Sequence, residues 1–331
     1  MKRFEFADEG MHTPTAGDQI WQESQIFIWW DESQGLGGLQ RVGHLPNQDK
    51  ANFWHGLMTA GGLHYLADVH DITLTDGDRH DRGLTSGGQS MAALSHDTGT
   101  IDFADDQTEL HLRYEDYYPM CEVWEHGTGG KVEADMAAAH FETSGRVTGT
   151  VRMRDRRFEV DGSFHRDHSW GPRDWEALNG HRWVVGTAGP RFSFSAAVML
   201  GTTDLVAGGY VIRDGDRFQA RDIDIVIGIE PDNVTARNAT VAWKLDNGEA
   251  VIIDCEPIGG WMLGHGQYLE SDQLARFSVR GTDIEGWCDV EVSMNHRLHN
   301  QPVRLAIGAA LQHGFSQARK PIDLFEKLVS T

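Results

Sequence analysis

The stretch GRVTGTVRMRDRRFEVDGSFHRD, residues 145–167, decides how the rest of the chain is read. Val147, Val151 and Met153 alternate with Thr148, Thr150 and Arg152. After RDRR, the positions Phe158, Val160 and Phe164 take up the same two-residue period, which places one apolar face on each of two successive strands. The segment therefore predicts a β-hairpin. The same logic reads DVHDITLTDGDRHD (68–81), YVIRDGDRFQARDIDIVIGI (210–229) and VAWKLDNGEAVIIDCEPI (241–258) as strand pairs, with Asp-Gly or Asn-Gly supplying the positive φ of a tight turn.

Further strands are expected at SQIFIWWD (24–31), ELHLRYED (109–116), HRWVVGTA (181–188), RFSFSAAVML (191–200) and CDVEVSMNHRL (288–298). Helical periodicity stands out in two places. One is NQDKANFWHGLM (47–58); the other is the tail QARKPIDLFEKLVS (317–330), where Ile322, Phe325, Leu328 and Val329 form one apolar stripe. Many strands, short turns and few short helices predict an all-β protein of sandwiches or barrels. GLGG (35–38) lacks the following helix of a phosphate cradle and reads as a turn.

At 331 residues two domains are expected. No Pro/Gly/Ser linker is present; the seam is set at GPRDWEALNG, dividing the chain into 1–176 and 177–331. A formal charge of −21, from 29 basic and 50 acidic residues, argues against nucleic-acid and anionic-membrane partners. Cys121, Cys255 and Cys288 are odd in number and far apart, so they read as reduced core residues in a cytoplasmic protein. Neither an apolar leader nor eighteen apolar residues in a row is found. Walker, dinucleotide, GxSxG and HExxH motifs are missing too, which leaves a chemistry of side chains alone.

That chemistry concentrates in FHRDHSWGPRDW (164–175). On a strand, His165, Asp167 and Ser169 face one way, and Arg166, His168 and Trp170 the other. An Asp beside a His fixes its tautomer and raises the basicity of the free nitrogen. Gly171-Pro172 then ends the strand and redirects Arg173 and Trp175. A metal needs three converging ligands; His165 and Asp167 share a face but His168 does not, so no metal and no organic cofactor are expected. The bland reading is a charged clamp between domains, with Arg166 or Arg173 paired to Asp167 or Asp174. A second concentration, HLRYEDYYPMCEVWEHG (111–127), puts Tyr114 and Asp116 on one face and Glu115 and Tyr117 on the other. Its bland reading is an amphipathic strand.

The segments 21–47, 162–175 and 181–188, with Asp167, His168, Trp170 and Gly171 matching a D-H-x-W-G core, resemble the two-domain, lipocalin-like family of carotenoid hydratase and, in architecture, cofactor-free fungal Diels-Alderases. The resemblance implies an N-terminal β-sandwich or distorted barrel joined to a C-terminal lipocalin-like antiparallel barrel. It also implies water addition to a carbon-carbon double bond through His168 and Trp170. The Tyr/Asp pair that the hydratase carries after the next strand is missing from RWVVGTAGPRFSF (182–194).

The expectation is thus a cofactor-independent lyase catalysing hydration, dehydration, isomerisation or retro-aldol cleavage of a bulky apolar or aromatic molecule. His168, Asp167, Tyr114 and Asp116 are its candidate acid-base groups, and Trp170, Arg173, Arg166, Tyr117 and Trp175 its candidate substrate contacts. A homodimer is allowed. The rival is a lipocalin-like binding protein for a hydrophobic metabolite.

Overall fold

The computed structural model describes residues 3–124, 136–201, 205–231, 234–265, 268–295 and 314–317. The first twelve strands are β1 (Trp21–Asp31), β2 (Leu36–Leu45), β3 (Lys50–Thr59), β4 (Leu63–Thr73), β5 (Arg79–His80), β6 (Gly83–Ser86), β7 (Gln89–Ala93), β8 (Thr98–Ala104), β9 (Thr108–Asp116), β10 (Cys121–Glu122), β11 (Ala139–Met153) and β12 (Arg156–Pro172). Then come β13 (Leu178–Thr187), β14 (Phe192–Gly201), β15 (Leu205–Arg213), β16 (Asp216–Ile229), β17 (Ala236–Leu245), β18 (Ala250–His265), β19 (Tyr268–Val279), β20 (Glu285–Asn295) and β21 (Gly314–Gln317). Among the described residues no helix reaches seven residues, and four 3-10 turns of three or four residues lie before or between strands, so the all-β expectation holds. No described helix is long and apolar enough to cross a membrane.

Two compact units divide the described residues: one of residues up to Arg173 other than Ala60–Leu66, the other of Ala60–Leu66 and residues from Asp174. In the first, an antiparallel sheet runs β4-β3-β2-β1-β12-β11-β9-β8-β7-β6-β5 and nearly closes; β10 sits on β11. Its interior is marked by Phe27, whose ring lies 4.7 Å from Phe164 and 5.7 Å from Tyr114. In the second, β13 to β20 close into an eight-stranded barrel around Val184, Phe194, Trp243, Val290 and Val292. β21 pairs with Leu63–Leu66.

The deciding hairpin is β11–β12, paired from Met153↔Arg156 up to Ala139↔Trp170. Arg154 takes the left-handed conformation at its turn (φ 57°). Asp214 and Gly215 (φ 51° and 89°) turn β15 into β16, and Gly248 (φ 88°) helps to turn β17 into β18, as read from Asp-Gly and Asn-Gly.

Three readings are corrected. Residues 50–59 form β3, not a helix: both faces of the strand are buried, so apolar residues occupy successive positions and mimic a helical stripe. DVHDITLTDGDRHD is no hairpin, because Asp76–Asp78 make a 3-10 turn with Thr75 and Asp78 capping each other, and β5 pairs with β6 instead of β4. Of GLGG only Gly35 turns; Leu36, Gly37 and Gly38 are the start of β2. The expected C-terminal helix lies outside the described residues. All three cysteines are free and buried.

His55 on β3 gives a pH prediction. Its ring is stacked 4.0 Å from Phe103 and its Nε2 lies 3.3 Å from Thr108 Oγ1. Burial drives its pKa down to about 3, against the weaker upward pull of Asp105. The unfolded chain protonates this imidazole below about 6.5, whereas the folded protein resists until about 3. The stabilising contribution is therefore whole above pH 6.5 and is lost at about 1.4 kcal/mol per pH unit as pH falls through that window. Urea midpoints for wild type and His55→Gln at pH 7.5 and 5.5 check this: the variant should show the smaller acid-induced drop.

Candidate functional site

On β12, Arg166, His168 and Trp170 point into the first unit, and His165, Asp167 and Ser169 point the other way. Register fixes what each meets. His168 lies opposite Gln25 of β1 and Phe141 of β11, and Trp170 opposite Glu23 and Ala139. Side chains directly opposite or two residues along share a face, so β1 delivers Glu23 and Gln25 to the inward row.

His168 is fully buried, with Nε2 2.9 Å from Glu23 Oε1 and Nδ1 3.4 Å from Gln25 Nε2. This fits the tautomer that donates from Nε2 to the carboxylate and keeps Nδ1 as the basic atom, facing the Gln25 amide. The same Glu23 oxygen lies 2.6 Å from His12 Nδ1, and the other accepts the His12 backbone N–H at 2.7 Å. His12, 22% exposed at its side chain, stacks on Trp170 at 3.6 Å and brings Nε2 to 3.3 Å from Asp8. A hydrogen-bonded line thus runs His168, Glu23, His12, Asp8, from a dry interior to a partly wet rim. Burial would raise the Glu23 pKa, but hydrogen bonds from His12 and His168 hold it below the ordinary value. Burial likewise opposes protonation of His12, yet Glu23 and Asp8 keep its pKa raised. His12, Glu23 and His168 each offer a ligand atom within 4.8 Å of the others, a set able to hold a metal ion.

Beside this line stands an ion triad. Arg166 is forked onto Glu9 (3.1 and 2.9 Å) and onto Asp116 (3.1 and 2.7 Å), with its guanidinium 4.8 Å from the centre of the Tyr114 ring. Burial pushes Asp116 up to about 6 although Arg166 pulls it down. Burial also raises the Tyr114 hydroxyl. Glu9 and His12 belong to the segment Phe4–His12, whose Phe4 packs 5.2 Å from Phe141 and whose 3-10 turn Phe6–Glu9 is closed by reciprocal bonds between Glu5 and Asp8. A cavity of about 10 Å³, the space of one water, lies among Gln25, Phe27, Tyr114, Arg166 and Asp167.

Asp167 does not orient His168. Its Oδ1 accepts the Ile26 N–H at 3.0 Å, and Oδ2 meets His140 Nε2 at 2.9 Å. His140 also approaches Glu142 at 3.3 Å; burial disfavours its charge, but Asp167 and Glu142 outweigh that and raise its pKa. His165 contacts Ser144 Oγ at 3.0 Å and Glu142 at 3.5 Å. Arg173 reaches Ser169, Tyr117 is half-buried beyond the end of β9, and Trp175 lies in the second unit, 6.4 Å from His181. The structure therefore gathers His168, Trp170, Arg166, Tyr114 and Asp116, and sends Asp167, Arg173, Tyr117 and Trp175 elsewhere. It adds Glu23, His12, Glu9 and Gln25, which sequence reading missed. One signal was available: Glu23 shares the two-residue parity of Trp21, Phe27 and Trp29, an acid on an apolar row.

Gly171 ends this row at φ 125°, and a Cβ there would stand 2.3 Å from the Ala138 backbone nitrogen. Gly171→Ala is expected to destabilise the protein by about 1–3 kcal/mol from backbone strain alone. Chemical denaturation of the variant checks this, and an unchanged midpoint would refute it.

The second barrel contains a cavity of about 580 Å³ bordered by Arg182, Val198, Leu200, Ala207 and Ile223.

Residues 5–296 match a family model described as a domain of unknown function, DUF7064. No curated protein is significantly similar in sequence. Among solved structures, a protein assigned as an AttH from Nitrosomonas europaea is 14% identical, with a TM-score of 0.63 over 88% of this chain and 96% of that one. CghA, solved with Sch210972, is 12% identical, with a TM-score of 0.62 over 86% and 94%. Kievitone hydratase from Nectria haematococca is 8% identical, with a TM-score of 0.63 over 88% and 93%. At such identities the likeness is one of fold, and it bears out the architectural resemblance read from the sequence.

Proposed function

The chain belongs to the DUF7064 family, and from that premise we propose that it is a cofactor-independent lyase working by proton transfer on a bulky apolar or aromatic small molecule. One observation carries this reading: the buried His168 is joined through the fully buried Glu23 to the rim residue His12. Glu23 accepts a hydrogen bond from Nε2–H, and Nδ1, once substrate or water takes the place of the Gln25 amide that faces it, takes up a proton; the imidazolium then formed is stabilised by the ionised Glu23. His12 returns the proton to solvent. Trp170 and Phe141 supply an apolar wall, and Tyr114, held against the Arg166 guanidinium, a phenolic donor for a developing oxyanion. Entry of a bulky substrate requires the segment Phe4–His12 to move aside, since its residues cover the row, and to close again so that His12 returns to Glu23 and completes the relay. The shared fold of kievitone hydratase and CghA lends support to hydration or another cofactor-free conversion of an organic small molecule.

A binding-protein reading has its own observation, the cavity of about 580 Å³ in the second barrel. The two separate cleanly. Wild-type protein and His168→Gln are incubated in D₂O and in H₂¹⁸O with apolar alkenes, enones and hydroxyaromatics, kievitone among them. Mass spectrometry should find solvent label in a compound with wild type and not with the variant. Compounds that raise the melting temperature without ever gaining label would overturn the enzyme reading and leave the carrier.

A further inference from the structure

The second barrel carries a cluster that the chemistry above does not use. On three adjacent strands, β13, β20 and β19, register aligns His181 with Ser293 and Glu270, then Trp183 with Glu291 and Asp272, then Val185 with Asp289. Val184, Val290 and Val292 alternate with these positions and fill the barrel core, so the polar row lies on the other face of the wall. It is nevertheless buried: Glu270 is 3% exposed, Asp272 2%, Asp289 0% and Glu291 5%. Four carboxylates on one buried face need compensation. His181 contacts Glu291, and its Nδ1 lies 2.6 Å from Ser293 Oγ. Among the described residues no Lys or Arg lies within ion-pair distance of Asp272, Asp289 or Glu291; Arg182 feels the Glu291 charge but spends Nη1 on the backbone carbonyls of His181 and Ser293. Among the described residues no side chain partners either oxygen of Asp289 or Oδ2 of Asp272, and the one neighbouring donor is the Val290 backbone beside Asp289.

We infer that this face binds a divalent transition-metal ion of the Zn²⁺ or Mn²⁺ kind, held by His181, Glu270 and Glu291, with Asp272 and Asp289 in support. The three ligand atoms lie within 4.8 Å of one another. Closing them around an ion at about 2.0–2.2 Å needs only small side-chain movements. One imidazole with carboxylates suits these ions better than Ca²⁺ or Mg²⁺, which prefer oxygen alone. The ion would tie β13, β20 and β19 together and neutralise the acids.

The test uses the full chain, stripped with a chelator and titrated with Zn²⁺ and separately Mn²⁺ by calorimetry, with melting temperature followed in parallel. Wild type should take up at least one ion of either metal and melt higher with it. His181→Gln and Glu291→Gln should each weaken that binding at least tenfold and lose the rise in melting temperature, while Glu23→Gln, in the other His/Glu group, keeps both. Two shape-conserving variants guard against one that fails to fold. Binding of neither metal by wild type would overturn the inference, as would retention in both second-barrel variants or a loss seen only in Glu23→Gln.

Discussion

Arg166→Met is expected to cost about 3–5 kcal/mol of stability, the usual result of stranding buried charges by removing their partner. The guanidinium is the only described cation paired with both Glu9 and Asp116. Both acids are about 1% exposed at the side chain, so water does not replace it. The loss should depend on pH in the opposite sense to that of His55. Asp116 is held up at about 6 even with Arg166 beside it, and without Arg166 it rises further. A folded-state pKa above the unfolded value means that the penalty is absent at low pH and grows as pH rises through the folded pKa. Urea unfolding at pH 5 and pH 8 should therefore show the variant closer to wild type at pH 5. Combining Arg166→Met with Glu9→Gln and Asp116→Asn should recover much of the loss, because the triple variant strands no charge. Equal losses at both pH values would refute this account of the triad.

His168→Gln should lower turnover by about 10²- to 10⁴-fold, the range for removing a positioned general acid or base, while the protein stays folded. Gln can still donate to Glu23, so the buried carboxylate keeps a partner. Glu23→Gln should lose a comparable factor, since the neutral amide can still accept the Nε2–H bond but neither offsets the charge of the imidazolium nor passes a proton on to His12. The double variant should be little worse than either single one, because the two residues act as a unit. His12→Gln should cost less and act mainly on the exchange of solvent deuterium into product. The comparison is steady-state kinetics on a compound found by solvent labelling; full additivity of His168→Gln and Glu23→Gln would show that they do not form one proton path.

Local patterns carried most of the fold. Alternation at 145–167 and the Asp-Gly and Asn-Gly turns fixed three hairpins, because a two-residue period and a positive φ are properties of the immediate chain. The period fails where a strand is buried on both sides: β3 has Phe53, His55 and Leu57 on one face and Trp54 and Met58 on the other, and nothing in that run separates strand from helix. The same limit governs the site. Alternation correctly divides Arg166, His168 and Trp170 from His165, Asp167 and Ser169, as their partners show. It is silent about which distant strand supplies those partners. Asp167, next in sequence to His168, goes to His140, while the carboxylate that holds His168 comes from Glu23. Register between strands is set by the whole sheet, and adjacency in sequence places two strand residues on opposite faces.

The segment Phe4–His12 has a consequence for the order in which the protein is made. Arg166 and Glu9 are separated by 157 positions. At about 5–20 residues per second, synthesis places roughly ten to thirty seconds between them. Through most of that interval Phe4 lacks Phe141 and Glu9 lacks Arg166, while His12 already has Glu23 but not the Trp170 ring it stacks on. Holding such distant ends together carries a large loop-closure cost until the intervening strands have paired. The segment should dock last, as the closing event of the first unit, with Trp170 fluorescence reporting it when His12 stacks. An early chaperone contact would fall on this apolar and acidic stretch, and nascent chains stopped short of Arg166 should remain open to proteases there.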